Sequence, residues 1–175
     1  LQRDWPDDWR EILAANDERA PMWLRVNAQR TTTEGYLARL EAAGYRATAA
    51  PGLPWALRLD EPVAVQDLPG FADGDVSVQD AAAQIAAPWL LDGVRGDILD
   101  ACAAPGGKSA QLAELGGSDI RLTAVDADAD RLRAVAETLA RLGLDATIVT
   151  GDASKPGEWA EQQAFDGILV DAPCS

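Results

Sequence analysis

The rhythm of apolar and polar positions changes once along this chain. In the first third, short apolar runs are separated by turn residues. Residues 4–16 read as a short helix, with Pro6 suited to its first turn and Asn16 to its end, before Pro21 breaks the pattern. Residues 22–27 read as a strand, and Thr31-Thr32-Thr33-Glu34 as a capping-box start for a helix running through Leu37 and Leu40 to Gly44. Residues 47–50 and 55–59 then flank a Pro51-Gly52-Leu53-Pro54 turn as a strand pair. These elements make a small α+β module, and the turn residues of 68–71 and 73–75 place its boundary, giving segments 1–75 and 76–175.

Beyond that boundary, compact apolar runs alternate with helix-length stretches, the pattern of a parallel sheet with crossover helices. Residues 79–91 read as a helix and 97–102 as a buried strand, followed by a Pro-Gly-Gly loop and a helix over 109–115. A strand over 120–125 ends on Asp126. The next helix carries Leu132, Val135, Ala136, Leu139 and Leu142 on one face and stops at Gly143. Strands over 146–149 and 165–170 end near Asp152 and on Asp171. The expected fold class is α/β, with an incomplete Rossmann-like sheet behind the small α+β module.

Composition narrows the chemistry. The 175 residues contain no histidine and only two cysteines, Cys102 and Cys174. That excludes Ser/His and Cys/His nucleophile pairs, a disulfide framework and a four-ligand zinc site, so no metal is expected. No apolar run is long enough to span a membrane, and the start lacks a signal-peptide profile, so the expected location is cytoplasmic. The chain begins without Met and stops at Ser175, directly after a strand end, and reads as a piece of a longer protein. A net charge of −14 counts against a polyanionic partner. Arg25, Arg30, Arg39, Arg46 and Arg58 nevertheless gather in the first third, and Arg25 and Arg30 are expected to belong to a basic, RNA-facing surface.

Candidate chemistry clusters at strand ends, where open α/β sheets bind ligands. Cys102-Ala103-Ala104-Pro105-Gly106-Gly107-Lys108 follows the first strand of the second segment, and its small residues let backbone approach a ligand. Asp126 stands where an acid accepts hydrogen bonds from ribose hydroxyls, and Asp152 where one reaches an adenine edge. The blander alternative is a tight turn at Gly106-Gly107 and a helix cap at Asp126. The dinucleotide fingerprint is missing, and Gly107-Lys108-Ser109 resembles a phosphate loop whose first glycine is here Cys102. Acids at three strand ends suit a ligand that is neutral or cationic near them, such as S-adenosylmethionine with its sulfonium. Asp171-Ala172-Pro173-Cys174 adds an acid beside a thiol. A thiolate that attacks carbon 6 of cytosine activates carbon 5 for methylation, and the acid orients the base. The alternative for Cys174 is a buried structural cysteine.

Residues 100–108, Val125-Asp126, Gly151-Asp152 and 169–175, with 22–27, 68–71 and 78–81 upstream, resemble the RNA cytosine carbon-5 methyltransferase family, above all its bacterial group acting on small-subunit ribosomal RNA. The resemblance implies that Cys102, Ala103, Ala104, Pro105, Gly106, Gly107, Lys108, Asp126, Asp152 and Asp171 contact S-adenosylmethionine, with Asp171 also near the target base. It further implies that a Thr-Cys cysteine on the following strand attacks the base while Cys174 assists product release. No Thr-Cys pair occurs in this sequence, so the chain alone is expected not to turn over. A phosphate-loop NTPase and a non-catalytic RNA-binding or assembly module are the rival readings.

Overall fold

The computed structural model describes residues 1–18, 20–160 and 164–172. After a short helix α1 (Trp9–Asp17), the first sheet comprises β1 (Trp23–Val26), β2 (Ala47–Ala49), β3 (Ala56–Leu59) and β4 (Val76–Val78). These lie in the order β2-β3-β1-β4, antiparallel throughout. Helix α2 (Thr33–Ala42) covers one face, where Leu24, Val26, Leu57, Leu59 and Val76 pack against Tyr36 and Leu40. Its N-cap is Thr32, whose hydroxyl accepts from Gly35 N–H at 3.0 Å. Gly35 rather than Glu34 therefore occupies the third helical position, and the reciprocal half of the expected capping box is not made.

The second sheet holds β5 (Gly96–Asp100), β6 (Ile120–Asp126), β7 (Thr147–Thr150) and β8 (Gly167–Leu169), all parallel in the order β7-β6-β5-β8. Helices α4 (Gly107–Gly116) and α5 (Ala129–Leu142) lie on one face of it, and the short α3 (Ala86–Leu90) packs beside α4. Ile98 and Leu122 meet Leu112 of α4, Ala124 meets Val135 and Leu139 of α5, and Leu99, Ala101 and Val125 line the opposite face with Trp159 and Phe165. Burial on both faces is why adjacent apolar residues, Ile98-Leu99 in β5 and Ala124-Val125 in β6, are both buried, while Arg121 near the start of β6 stays exposed. Gly143 ends α5 in the left-handed conformation, at φ 70°. The buried stripe is Leu132, Val135, Leu139 and Leu142; Ala136, placed on it by spacing, is exposed.

Two sequence expectations change. The helix read over 79–91 shrinks to a 3₁₀ turn at Ala83–Ile85 leading into α3, because Gln79 N–H is committed to Trp23 O at 3.2 Å. Likewise Val76–Val78 pairs with β1, so the first sheet runs past the turn that suggested a boundary at residue 75. The strand order reverses between β5 and β8, and such a switch point opens a crevice beyond the carboxyl ends of the strands.

Candidate active site

The loop that leaves β5 is tied on both sides. Ala103 N–H donates to Val125 O at 2.9 Å, Gly106 N–H to Ala103 O at 2.7 Å, and Ala110 N–H to Gly106 O at 2.9 Å. Gly106 has φ +103°, and a Cβ there would lie 2.9 Å from Val135 Cα, so backbone conformation and the approach of α5 both demand glycine. Beneath the loop, Ser109 donates its hydroxyl to Asp100 Oδ2 at 2.6 Å. Asp100 is 1% exposed, and burial pushes its carboxyl above the usual range against the opposing hydrogen bond from Ser109. Its Oδ1 makes no well-formed hydrogen bond among the described residues.

Three acids reach one cleft of about 470 Å³, together with Ala101, Cys102 and Ala104. Asp126 is 6% exposed and accepts from the amides of Ala104 at 3.2 Å and Asp128 at 3.0 Å, one per oxygen. Each oxygen retains a second lone pair for a ligand. Asp128, not Asp126, caps α5, so the bland reading of Asp126 as a helix cap does not describe its bonds. Asp152 folds back on its own loop, accepting from Ser154 N–H at 2.9 Å and Ser154 Oγ at 2.6 Å, and these bonds hold its carboxyl below the usual range. Asp171 pairs with Lys108 Nζ at 2.5 Å across the switch point.

The expected site residues divide between two neighbouring hollows. Cys102, Ala104, Asp126, Asp152 and Asp171 line the 470 Å³ cleft, and Ala103, Pro105, Gly107 and Lys108 line a smaller one of about 170 Å³, which also reaches Cys102, Ala104 and Asp171. Gly106 borders neither and serves the packing of α5. Cys174 lies outside the described residues. A larger cavity, about 760 Å³, is elsewhere, an apolar hollow between the Gly52–Trp55 turn and α3, away from the converging acids.

Among described residues the only cation on the cleft wall is Arg131, whose Nη1 stands 3.8 Å from Asp126. The residues that line the cleft are therefore net anionic, although Lys155 stands 3.6 Å from Asp152 and Lys108 pairs with Asp171 from beyond that lining. The Cys102 thiol registers this: burial first, then Asp126, Asp100 and Asp171, push its pKa up. A phosphate loop would need Lys108 and the Ser109 hydroxyl free, but Asp171 takes the first and Asp100 the second.

The expectation for Arg25 is overturned. It is 1% exposed and bonded to Glu114, Gln79 and Gly107, because strand alternation turns it away from the Leu24–Val26 core face and into α4. Arg30 is exposed, but it donates to Leu142 O at 3.1 Å. Sequence reasoning also missed Arg131 and Arg141. The latter spans the two segments, reaching Phe71 O at 2.7 Å, Val76 O at 3.1 Å and Ser77 Oγ at 3.0 Å.

Among the described residues there is no helix long and apolar enough to cross a membrane and no cluster of metal-ligating side chains. Residues 1–66 match the ferredoxin-like domain model of RsmF/B-like methyltransferases, and residues 89–175 match the model of 16S rRNA methyltransferase RsmB/F. Ribosomal RNA small subunit methyltransferase B of Salmonella paratyphi B is 47% identical over 175 residues, all of this chain and 41% of that protein. A methyltransferase homolog protein from Pyrococcus horikoshii superposes with a TM-score of 0.82 at 31% identity, covering 98% of this chain and 56% of that one. NSun6 from the same organism, solved with SFG, shares the fold at TM-score 0.77 and 20% identity, over 88% of this chain and 63% of its own. This chain spans well under half the length of the curated relatives it matches. With both of its segments matched, in order, by models of one family, the chain belongs to the RsmB/F family of rRNA methyltransferases.

Proposed function

We propose that this chain supplies the S-adenosylmethionine-binding part of an enzyme that methylates carbon 5 of cytosine in small-subunit ribosomal RNA. The observation that carries the reading is the convergence of Asp126, Asp152 and Asp171 on one cleft beside the glycine loop. This donor set fits the cofactor. Carboxylates with spare lone pairs suit ribose hydroxyls and an amino edge, and a net anionic wall suits a sulfonium while disfavouring phosphates. In this reading Cys102, Ala103, Ala104, Pro105, Gly106, Gly107 and Lys108 form the loop against which the cofactor lies. When bound, the cofactor would supply an electrophilic methyl group, the electron pair of the broken S–CH3 bond staying on sulfur as the neutral thioether.

The chain's own residues position the base. Asp171, held by Lys108, accepts from the exocyclic amine of cytosine and fixes the base. A cysteine thiolate bonds to carbon 6, the electron pair released toward carbon 5 takes up the methyl group, a base removes the carbon-5 proton, and the thiolate leaves. The attacking cysteine belongs to a Thr-Cys motif that these 175 residues do not contain, so the chain alone is inactive. Cys174 assists the release step. In the first module Arg58 is exposed and available to RNA phosphates, and Arg46 is exposed beside Asp60.

Calorimetry on the full-length protein tests the cofactor. Wild type binds S-adenosylmethionine, and Asp126→Ala weakens binding by about 1.5 to 3 kcal/mol, the range for hydrogen bonds to a charged group. Unchanged affinity removes Asp126 from the site. A denaturing gel with labelled RNA tests Cys174. Cys174→Ala accumulates a stable protein–RNA adduct if the residue serves release, and none if it is itself the nucleophile.

A further inference from the structure

Along β1, Leu24 and Val26 enter the core of the first module, and Arg25 between them enters α4 of the second segment. One guanidinium there engages three residues. Nε and Nη2 donate to the two Glu114 oxygens at 3.1 and 2.8 Å, and Nη1 donates to Gly107 O at 2.7 Å and to Gln79 Oε1. Gly107 is the first residue of α4 and the penultimate residue of the loop, whereas Glu114 stands about two turns further on. A layer of amides fixes the rest. Gln79 donates to Gln111 at 3.4 Å, Gln111 to Gln84 O at 2.8 Å, Gln84 to Leu24 O at 3.2 Å, and Gln29 to Glu114 O at 2.7 Å.

We propose that Arg25 is a positioning residue for the cofactor loop: through it the first module fixes where α4 begins, and hence where residues 102–108 lie. The inference rests on the reading of that loop as the S-adenosylmethionine site. Buried ion pairs are poor stabilisers relative to packed apolar side chains, so stability alone is a weak reason for one here. The planar fork accounts for the choice of arginine, because it holds Glu114 bidentately while its remaining nitrogen reaches the Gly107 carbonyl.

The test uses the full-length protein and S-adenosylmethionine. Arg25→Lys keeps a charge opposite Glu114 but cannot also hold Gly107 and Gln79. It should raise the cofactor Kd about tenfold, leave the KM for RNA within about twofold, and speed amide exchange at residues 106–110 at least tenfold. Glu114→Gln, which retains the Gly107 bond, should lower Tm while moving the cofactor Kd less than about threefold. Linkage gives a readout that needs no variant: if the clamp favours binding, saturating cofactor slows exchange at residues 24–26 of wild type. A folded Arg25→Lys protein with wild-type affinity and exchange overturns the proposal, as does unaltered β1 exchange on cofactor binding. If wild type fails to bind S-adenosylmethionine, the cofactor reading falls, and exchange at residues 106–110 in Arg25→Lys still decides whether Arg25 sets the loop.

Discussion

Two clusters of charge share the loop after β5, and they are built in opposite ways. Around Arg25 the groups are sealed: Arg25, Gln79, Gln84, Gln111 and Glu114 are all buried, and apart from Gln84 Oε1 their polar side-chain atoms find partners within the protein. In the cleft the acids outnumber the cations, and the side chains of Asp152 and Asp171 remain 45% and 56% exposed. A charge whose partners are all supplied from inside can only fix geometry. Charges of one sign left partly open are suited to receive something from outside. The two clusters together suggest a division of labour, in which the first module sets the backbone and the strand ends present the acids.

The largest expected difference between them is in stability. Arg25→Met leaves Glu114 buried and unpaired, and should destabilise the fold by about 3 to 5 kcal/mol in urea denaturation. The double variant Arg25→Met/Glu114→Leu removes both charges and should recover most of that loss, because the apolar pair avoids desolvating either ion. Asp171→Asn, which breaks the half-open Lys108 pair, should lose less than about 1 kcal/mol. Equal losses at the two clusters would erase the distinction between sealed and open charge.

A smaller effect separates Asp100 from both clusters. Its native pKa is raised by burial above the ordinary 3.8, so the native state binds the proton more tightly than the unfolded state. That contribution to stability is fully present below the unfolded pKa and is lost as pH rises through the native one. Each tenfold in proton affinity is about 1.4 kcal/mol. Asn does not titrate, so Asp100→Asn should gain stability relative to wild type as pH climbs from about 4 toward 7. Glu114, whose pKa is also raised by burial, titrates in both proteins and largely cancels from the difference. A stability difference that is flat across this range would mean that the buried carboxyl titrates like a free one.

Much of the second segment was legible because its signals are local. The apolar pairs Ile98-Leu99 of β5 and Ala124-Val125 of β6 and the left-handed Gly143 at the end of α5 are each written within a few residues, and the acids at the strand ends follow from the parallel order. What escaped depends on distance in the chain. Arg25 meets Glu114 across 89 residues, and nothing in Trp-Leu-Arg-Val announces that its arginine faces another helix instead of water. β4 is three residues long and exists because β1 offers it an edge. Gln79 was assigned to a helix by its neighbours' spacing, yet its amide completes that same pairing. Within the site, Asp126, Asp152 and Asp171 follow from their positions after strands, whereas the pairing of Lys108 with Asp171 joins residues 63 positions apart and is written nowhere in the local sequence.

The smallest effect is the one that reads the sign of the cleft directly, because Cys102 places a titratable thiol inside it. Burial is the first cause of its raised pKa, and the carboxylates of Asp126, Asp100 and Asp171 follow, with Arg131 opposing them. The thiolate, not the thiol, is the nucleophile toward alkylating reagents, so its reaction rate follows the ionised fraction. Iodoacetamide labelling of the Cys102 peptide, followed by mass spectrometry from about pH 7 to 10, should give a profile displaced to higher pH than that of a free cysteine, with little reaction near neutrality. Asp126→Asn should move that profile back downward, because it removes the largest of the coulombic causes while leaving burial nearly as it was. Cys102→Ala itself should change stability by no more than about 0.5 kcal/mol, since the side chain is only half-buried and has no bonded partner among the described residues. A thiol that alkylates at pH 7 as fast as a free cysteine would remove the anionic surroundings, and one that alkylates faster would indicate a cationic cleft, and with it a phosphate-bearing ligand in place of one suited to carboxylates.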